Sequence, residues 1–328
     1  MSDRGPVFVA GLERSGTSLM YALLASHPEI AMTRRTNLWT HFFGQYGDLA
    51  DDANLDRCLG MMRRYRRLVI LDIDWERLRS DFVAGARTYP RLFDLLEMQV
   101  AHRLGKRRWG DKSLNTERYA DHLLAAYPGA RVLHMIRDPR DRFASSLTRW
   151  KVRRGGVGAG TAEWLASARL AEHHSRWAPD RYMVVRYESL VSDPEGMLRA
   201  ICGFIGEDYT PAMLSMDGAS RFKTEGGNSS YGSRAPAEIS ADSVGRFRAV
   251  LSPRDIAVMQ RFAGEEMLRF GYELEPVSLG VTGRVRVALG ALPLETARLL
   301  AWRAREAYRD RRGRPVPAYR IVEPAGVA

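Results

Sequence analysis

The chain has 328 residues, 45% of them hydrophobic and 27% charged, enough for one large α/β domain or two smaller ones with a sizeable core. Fifty Lys and Arg against 39 Asp and Glu leave a net charge of +11, which draws anions; no groove-reading or RNA-binding signature accompanies it, so nucleic acid is not the expected partner. Cys58 and Cys202 are too few for a disulfide framework and have no Cys or His at metal-ligand spacing, so no metal is expected and a reducing, cytoplasmic compartment fits.

Met1 to Gly5 carries Asp3 and Arg4 and runs straight into an apolar strand, unlike a signal peptide. Val7 to Leu12 reads as that strand, ending in a glycine turn. Thr17 to Ser26 reads as a helix with Leu19, Met20, Leu23 and Leu24 on one face, stopped by His27-Pro28. From about Thr33 to Lys106 the pattern is mostly helical. Thr116 to Tyr127 reads as a helix capped by Asn115, followed by a buried strand from Arg131 to Ile136. Asp138-Pro139 opens a helix that turns Phe143, Leu147 and Trp150 inward.

Residues 155–160 and 226–232 are glycine-rich and read as flexible loops. Arg181 to Tyr187 reads as a strand, Asp193-Pro194 as a helix start, and Ser252-Pro253 as the start of a last core helix ending near Gly271. Such alternation predicts an α/β fold of three layers, P-loop-like, with a mainly parallel central sheet flanked by helices. Val277 to Ala328 holds ten Arg and four acidic residues, and Glu295 to Arg312 reads as an amphipathic helix. The chain thus divides into a domain over 1–275 and a basic, partly helical extension over 276–328. The apolar stretch 281–302 is broken by Arg284, Arg286, Glu295 and Arg298, so no transmembrane segment is expected.

Gly11-Leu-Glu-Arg-Ser-Gly-Thr-Ser18 lies between strand and helix, where backbone N–H groups and a helix N-terminus bind anions. It has the glycine spacing of a P-loop but Thr17 where that signature requires Lys, which disfavours a nucleoside triphosphate. Arg14 offers a planar fork for phosphate or sulfate oxygens. Arg137 follows the apolar strand 131–136 at the edge where open α/β sheets bind ligands. Ser145 and Arg149, four apart, share a helix face nearby. Arg137, Ser145 and Arg149 could together clasp a dianionic phosphate.

These residues together resemble the sulfotransferases that use 3′-phosphoadenosine 5′-phosphosulfate (PAPS), most nearly the protein-tyrosine sulfotransferase-like branch. Arg14-Ser15-Gly16-Thr17-Ser18 matches the family's 5′-phosphosulfate loop, and Arg137 through Ser145, with Arg149, its 3′-phosphate motif. Tyr187, Ser230 in Asn228-Ser-Ser-Tyr231, and Arg246 match further donor contacts. Lys112 aligns with the lysine that supports the transferring sulfuryl group. The resemblance, running from about residue 6 to about 272, implies metal-independent in-line transfer to a hydroxyl acceptor with adenosine 3′,5′-bisphosphate (PAP) as product.

The family's bases are absent: Arg34-Arg35 and Leu114 stand at their positions. Asp111 and His41 are the candidate bases, Asp111 beside Lys112 and His41 on a segment after the first helix. Glu13 is expected to face a backbone or Arg partner, because a carboxylate aimed at the dianion would repel it. Arg34 and Arg35 suit an anionic acceptor. Two other readings stay open: a P-loop kinase-like phosphotransferase, and a basic adaptor that binds nucleic acid or anionic lipid through its tail. Acceptor identity and oligomeric state cannot be read from the chain.

Overall fold

A computed structural model describes residues 4–150, 155–219 and 239–322, without the side chains of 148–150. Five parallel strands, β1 (Val7–Ala10), β2 (Ile30–Arg34), β3 (Arg108–Lys112), β4 (Arg131–Ile136) and β5 (Tyr182–Arg186), lie in the order β2-β3-β1-β4-β5. All four pairings are parallel. Parallel strands buried on both faces need apolar residues throughout, and β1 is buried at each of its four positions.

The helices that frame the site are α1 (Thr17–Ala25), α2 (Tyr89–Arg103), α3 (Pro139–Trp150), α4 (Gly156–Trp177), α5 (Pro253–Arg269) and α6 (Leu292–Arg312). One apolar core joins Phe8, Ala31 and Trp109 to Leu92, Phe93 and Leu96 of α2. The opposite face packs Val7, Val9, Ile30 and Met32 under Leu19, Met20 and Leu23 of α1. Layers of helix, sheet and helix result, in agreement with the expected fold. Among the described residues no helix is long and apolar enough to cross a membrane.

Three local readings change. Residues 30–34, placed at the margin of a helical region, form the edge strand β2, pinned in register to β3. Asn115 adopts a left-handed conformation (φ 62°) with no side-chain cap, and a 3₁₀ turn (Thr116–Tyr119) precedes the helix Ala120–Ala126. Residues 156–160, read as a flexible loop, are the first turns of α4. Their glycines permit a close crossing: a Cβ at Gly158 would overlap the Glu295 carbonyl oxygen, and Gly158 N–H instead donates to Glu295 Oε2 at 2.8 Å. The second glycine-rich loop, 226–232, lies outside the described residues.

The other expected caps are present. Asp138 Oδ1 accepts from the Arg140 amide at 2.8 Å, Asp193 accepts from Gly196 N–H, and Ser252 accepts from Asp255 N–H. The amphipathic helix of the extension is α6, starting three residues earlier than expected and continuing an α/π segment from Val281. It packs on α4. The chain then returns to the β2 side, where Ile321 bridges Tyr65.

Candidate active site

Residues 11–16 turn sharply from β1 into α1. Arg14 and Gly16 both take positive φ, 71° and 89°. At Gly16 this has a packing cause as well, since a Cβ would sit 2.5 Å from Cδ2 of Tyr187. No side chain caps α1, so its first N–H groups are left for a ligand. Ser15 and Thr17 are buried beneath them, with Ser18 more exposed. The Gly11 amide points elsewhere, donating to Glu117 Oε2 at 3.2 Å. Glu117 is 1% exposed and its other oxygen accepts from Ser167 at 3.1 Å, so a buried carboxylate holds the base of the loop.

Arg137 follows β4 on the same edge of the sheet. Its guanidinium donates to the carbonyls of Arg14 (3.1 Å) and Ser243 (2.7 Å) and lies 4.4 Å from the centroid of the Tyr187 ring. Arg14 Nε donates to Ser145 Oγ at 2.9 Å. The turn after β1, the start of α3 and Tyr187 after β5 therefore form one continuous surface. Arg137 is only 4% exposed, makes no ion pair among the described residues, and its buried Nε has no hydrogen-bond acceptor. A buried cation in that state is costly unless an anion joins it.

Arg246 is brought to this surface by Asp141 on α3, whose two carboxylate oxygens accept from the amides of Gly245 (2.7 Å) and Phe247 (2.8 Å). Tyr187 Oη lies 2.7 Å from Ser243 Oγ in the same segment. Trp164 of α4 donates its indole N–H to the Arg137 carbonyl at 2.9 Å. Arg149 lies on α3 as expected, with its side chain outside the described residues, as is Ser230.

Lys112 ends β3 on the face that carries α1, opposite Arg34 of β2. It is 3% exposed, and burial together with nearby Arg35 brings its ammonium down to about 8. The charges of Glu13 and then Asp111 oppose that shift. Among the described residues Glu13 has no hydrogen bond or ion pair, contrary to the expectation of an Arg or backbone partner.

Neither expected base stands with Lys112. Successive strand residues face opposite ways, so Asp111 points into the α2 layer. There its Oδ1 lies 2.9 Å from Thr36 Oγ1 and 3.1 Å from Thr33 Oγ1, and Thr33 Oγ1 also lies 3.0 Å from Glu97 Oε1. Thr33 has one hydroxyl proton for two carboxyl groups, so one of them must hold its own. Glu97, fully buried and pushed well above the usual carboxylate range by burial and then by Asp111, is that group. His41 is engaged at both nitrogens by the extension: Nδ1 lies 2.7 Å from the Arg314 carbonyl and Nε2 lies 3.3 Å from Arg320 Nη1.

Sequence reasoning missed Asp141, Glu117, Trp164 and Ser243, whose roles come from partners 27 to 106 residues away. Away from this edge, Asp121, His173 and His174 also bring donor atoms within 4.8 Å of one another, which their sequence spacing gave no reason to expect.

A parallel sheet with two bonded anion cradles at its carboxyl edge defines a P-loop-like α/β protein. Residues 6–211 match the model of the Sulfotransferase family, and the chain belongs to that family. Among its relatives, protein-tyrosine sulfotransferase A of Caenorhabditis elegans is 26% identical over 215 residues, 63% of this chain and 51% of that protein. Protein-tyrosine sulfotransferase 1 of Danio rerio is 25% identical over 223 residues, 65% of this chain and 56% of that one. The chain thus spans about half the length of these relatives. The sulfotransferase domain of the Synechococcus PCC 7002 olefin synthase shares the fold, with a TM-score of 0.59 at 23% identity over 84% of this chain and 98% of that one.

Proposed function

We propose that this protein transfers a sulfuryl group from PAPS to a hydroxyl acceptor. The observation that carries the reading is Arg137: a buried guanidinium with no ion pair among the described residues and an unmatched Nε, hydrogen-bonded to the backbone of a second anion loop. A ligand with phosphate at two places satisfies both cradles at once. Arg137, Ser145 and the Tyr187 edge suit its 3′-phosphate; Arg14 and the amides of 15–18 suit the 5′ end. Arg149, Ser230 and Arg246 complete the donor side by family resemblance. PAPS supplies an activated sulfuryl group on a mixed anhydride.

The remaining chemistry falls to the chain. Lys112 sets a cation where negative charge grows as the sulfur–oxygen bond to phosphate breaks, and its burial makes that charge count. Because the cradles fix the donor before reaction, in-line attack needs no metal and no covalent intermediate. The acceptor proton needs a base, and Glu13, in the turn next to Arg14, is a carboxylate whose charge favours the Lys112 ammonium and whose oxygens, unlike those of Asp141, carry no described hydrogen bond.

The test is thermal stabilisation by adenosine 3′,5′-bisphosphate against ADP, AMP and ATP with Mg²⁺. We expect the bisphosphate alone to raise the melting temperature, unaffected by chelator. Stabilisation by ATP with Mg²⁺ instead would return the kinase-like reading.

A further inference from the structure

Arg34 closes β2 in register with Lys112, and its guanidinium lies 5.5 Å from the ring centroid of Tyr21 on α1. Arg35, next in the chain, donates its amide to the Lys112 carbonyl at 2.8 Å and takes a positive φ of 60°. For a residue with a Cβ that conformation costs about 1 kcal/mol or more and marks a position held by its surroundings. Here the hold is visible: the Arg35 carbonyl accepts from Asn37 Nδ2 at 2.9 Å and from Tyr65 Oη at 3.3 Å.

Tyr65 ties this corner to the end of the chain. It bridges Ile321, and Val322 N–H donates to the Arg64 carbonyl at 2.8 Å. His41 then sets Arg320. Its Nδ1, 2.7 Å from the Arg314 carbonyl, must carry the proton, which leaves Nε2 to accept from Arg320 Nη1 at 3.3 Å. Burial favours the neutral ring that this requires. Arg67 lies in the short helix Arg66–Val69 directly after Tyr65, where burial and then Arg35, Arg320 and Arg34 all disfavour its charge.

The contacts of Tyr65 thus bring to one corner the end of β2 with Arg34 and Arg35, the short helix with Arg67, and Arg320 beside Ile321, and none of the four makes an ion pair with a described carboxylate. Arg63 and Arg118 differ, reaching Glu76 at 2.8 Å and Glu306 at 3.1 Å, whereas Arg64 and Arg66 are exposed and have no described ion pair. Like charges gathered without counter-charge repel, unless an anion shared among them offsets the repulsion.

We propose that Arg34, Arg35, Arg67 and Arg320 form a subsite for a tetrahedral oxyanion, phosphate or sulfate, carried by the hydroxyl acceptor, and that the C-terminal segment completes the subsite by supplying Arg320. This rests on the sulfuryl-transfer reading for the word acceptor and for nothing else. Four planar forks match an anion with several oxygens better than a single carboxylate. His41 is a positioning residue in this scheme, aiming Arg320 rather than touching the substrate.

The experiment is calorimetric titration of inorganic pyrophosphate into full-length protein saturated with adenosine 3′,5′-bisphosphate, with citrate as the carboxylate control. We expect one saturable pyrophosphate site and weaker citrate binding. Arg67→Gln and Arg320→Gln should each weaken pyrophosphate at least tenfold and leave the bisphosphate affinity unchanged. No pyrophosphate binding, or binding indifferent to both substitutions, overturns the subsite; tighter citrate overturns the choice of oxyanion. Should Arg320→Gln fail to fold, Arg67→Gln decides. If the bisphosphate does not bind the wild-type chain, the transfer reading fails, while pyrophosphate titrated alone, with and without Arg67→Gln, still judges the subsite.

Discussion

Arg14 and Ser145, 131 residues apart, are joined by a 2.9 Å hydrogen bond from guanidinium Nε to hydroxyl Oγ. The bond links the turn after β1 to the helix after β4. With Arg137 on the Arg14 carbonyl at 3.1 Å, it makes two anion cradles into one rigid edge. Had the cradles faced apart, one nucleotide could not have bridged them.

Arg137→Gln should weaken adenosine 3′,5′-bisphosphate by about ten- to hundredfold, the loss of a charge-assisted contact worth roughly 1.5–3 kcal/mol. Calorimetry measures it. An unchanged affinity would remove the main support for the donor site.

Lys112→Met should lower kcat roughly 10²- to 10³-fold, as the loss of one preorganised charge does. It should also stabilise the ligand-free protein at pH 7. The folded Lys112 releases its proton near 8, below the ordinary lysine value, so above about 8 the unfolded chain holds more protons and wild-type stability climbs with pH. Below about 8 the full cost of a buried ammonium is present, up to about 3 kcal/mol. Urea unfolding at pH 7 and pH 9.5 tests this: the gain in the variant should be larger at pH 7.

Gly16→Ala should lose about 1–3 kcal/mol of stability, since φ is 89° and the new Cβ would press on Tyr187 Cδ2. Bisphosphate binding should fall with it. A variant as stable and as tight as wild type would mean that the turn can relax.

Three candidate bases can be ranked by kcat at fixed saturating donor. Glu13→Gln should cost at least tenfold, whereas Asp111→Asn and His41→Gln should each cost less, because their atoms are committed to Thr33 and Thr36 and to the extension. The reverse ranking would restore Asp111 or His41 to the chemistry.

Glu97→Gln should raise the melting temperature at neutral pH. Glu97 keeps its proton to higher pH in the folded chain than in the unfolded one, so wild-type stability drops as pH rises through the interval between the two values. A glutamine makes the same donation to Thr33 with no proton to lose. Its advantage should therefore fade on acidification, which melting curves from pH 4.5 to 8 would reveal.

Much of this was legible in the chain because the signals were local. The apolar run 131–136, the cap at Asp138 and the 14–18 turn each lie within a few residues of what they predict. Strand β2 was not, because Ile30 to Arg34 is a five-residue edge strand defined by its register with β3. The glycines of 156–160 misled for a related reason: their small size serves a crossing with Glu295, 137 residues away from Gly158. The sequence puts Asp111 next to Lys112, and that adjacency hides the strand alternation that turns the two side chains to opposite faces.

Strand β2 is one edge of the sheet and β5 the other, and β1, β3, β4 and β5 carry Arg14, Lys112, Arg137 and Tyr187 in or just beyond their ends. Whatever is recognised beyond Arg34 can therefore be rewritten, by exchanging the β2 edge and residues 314–322, without disturbing the four strands proposed to hold the donor. Descendants of such a scaffold could diverge in what they modify while keeping one reagent.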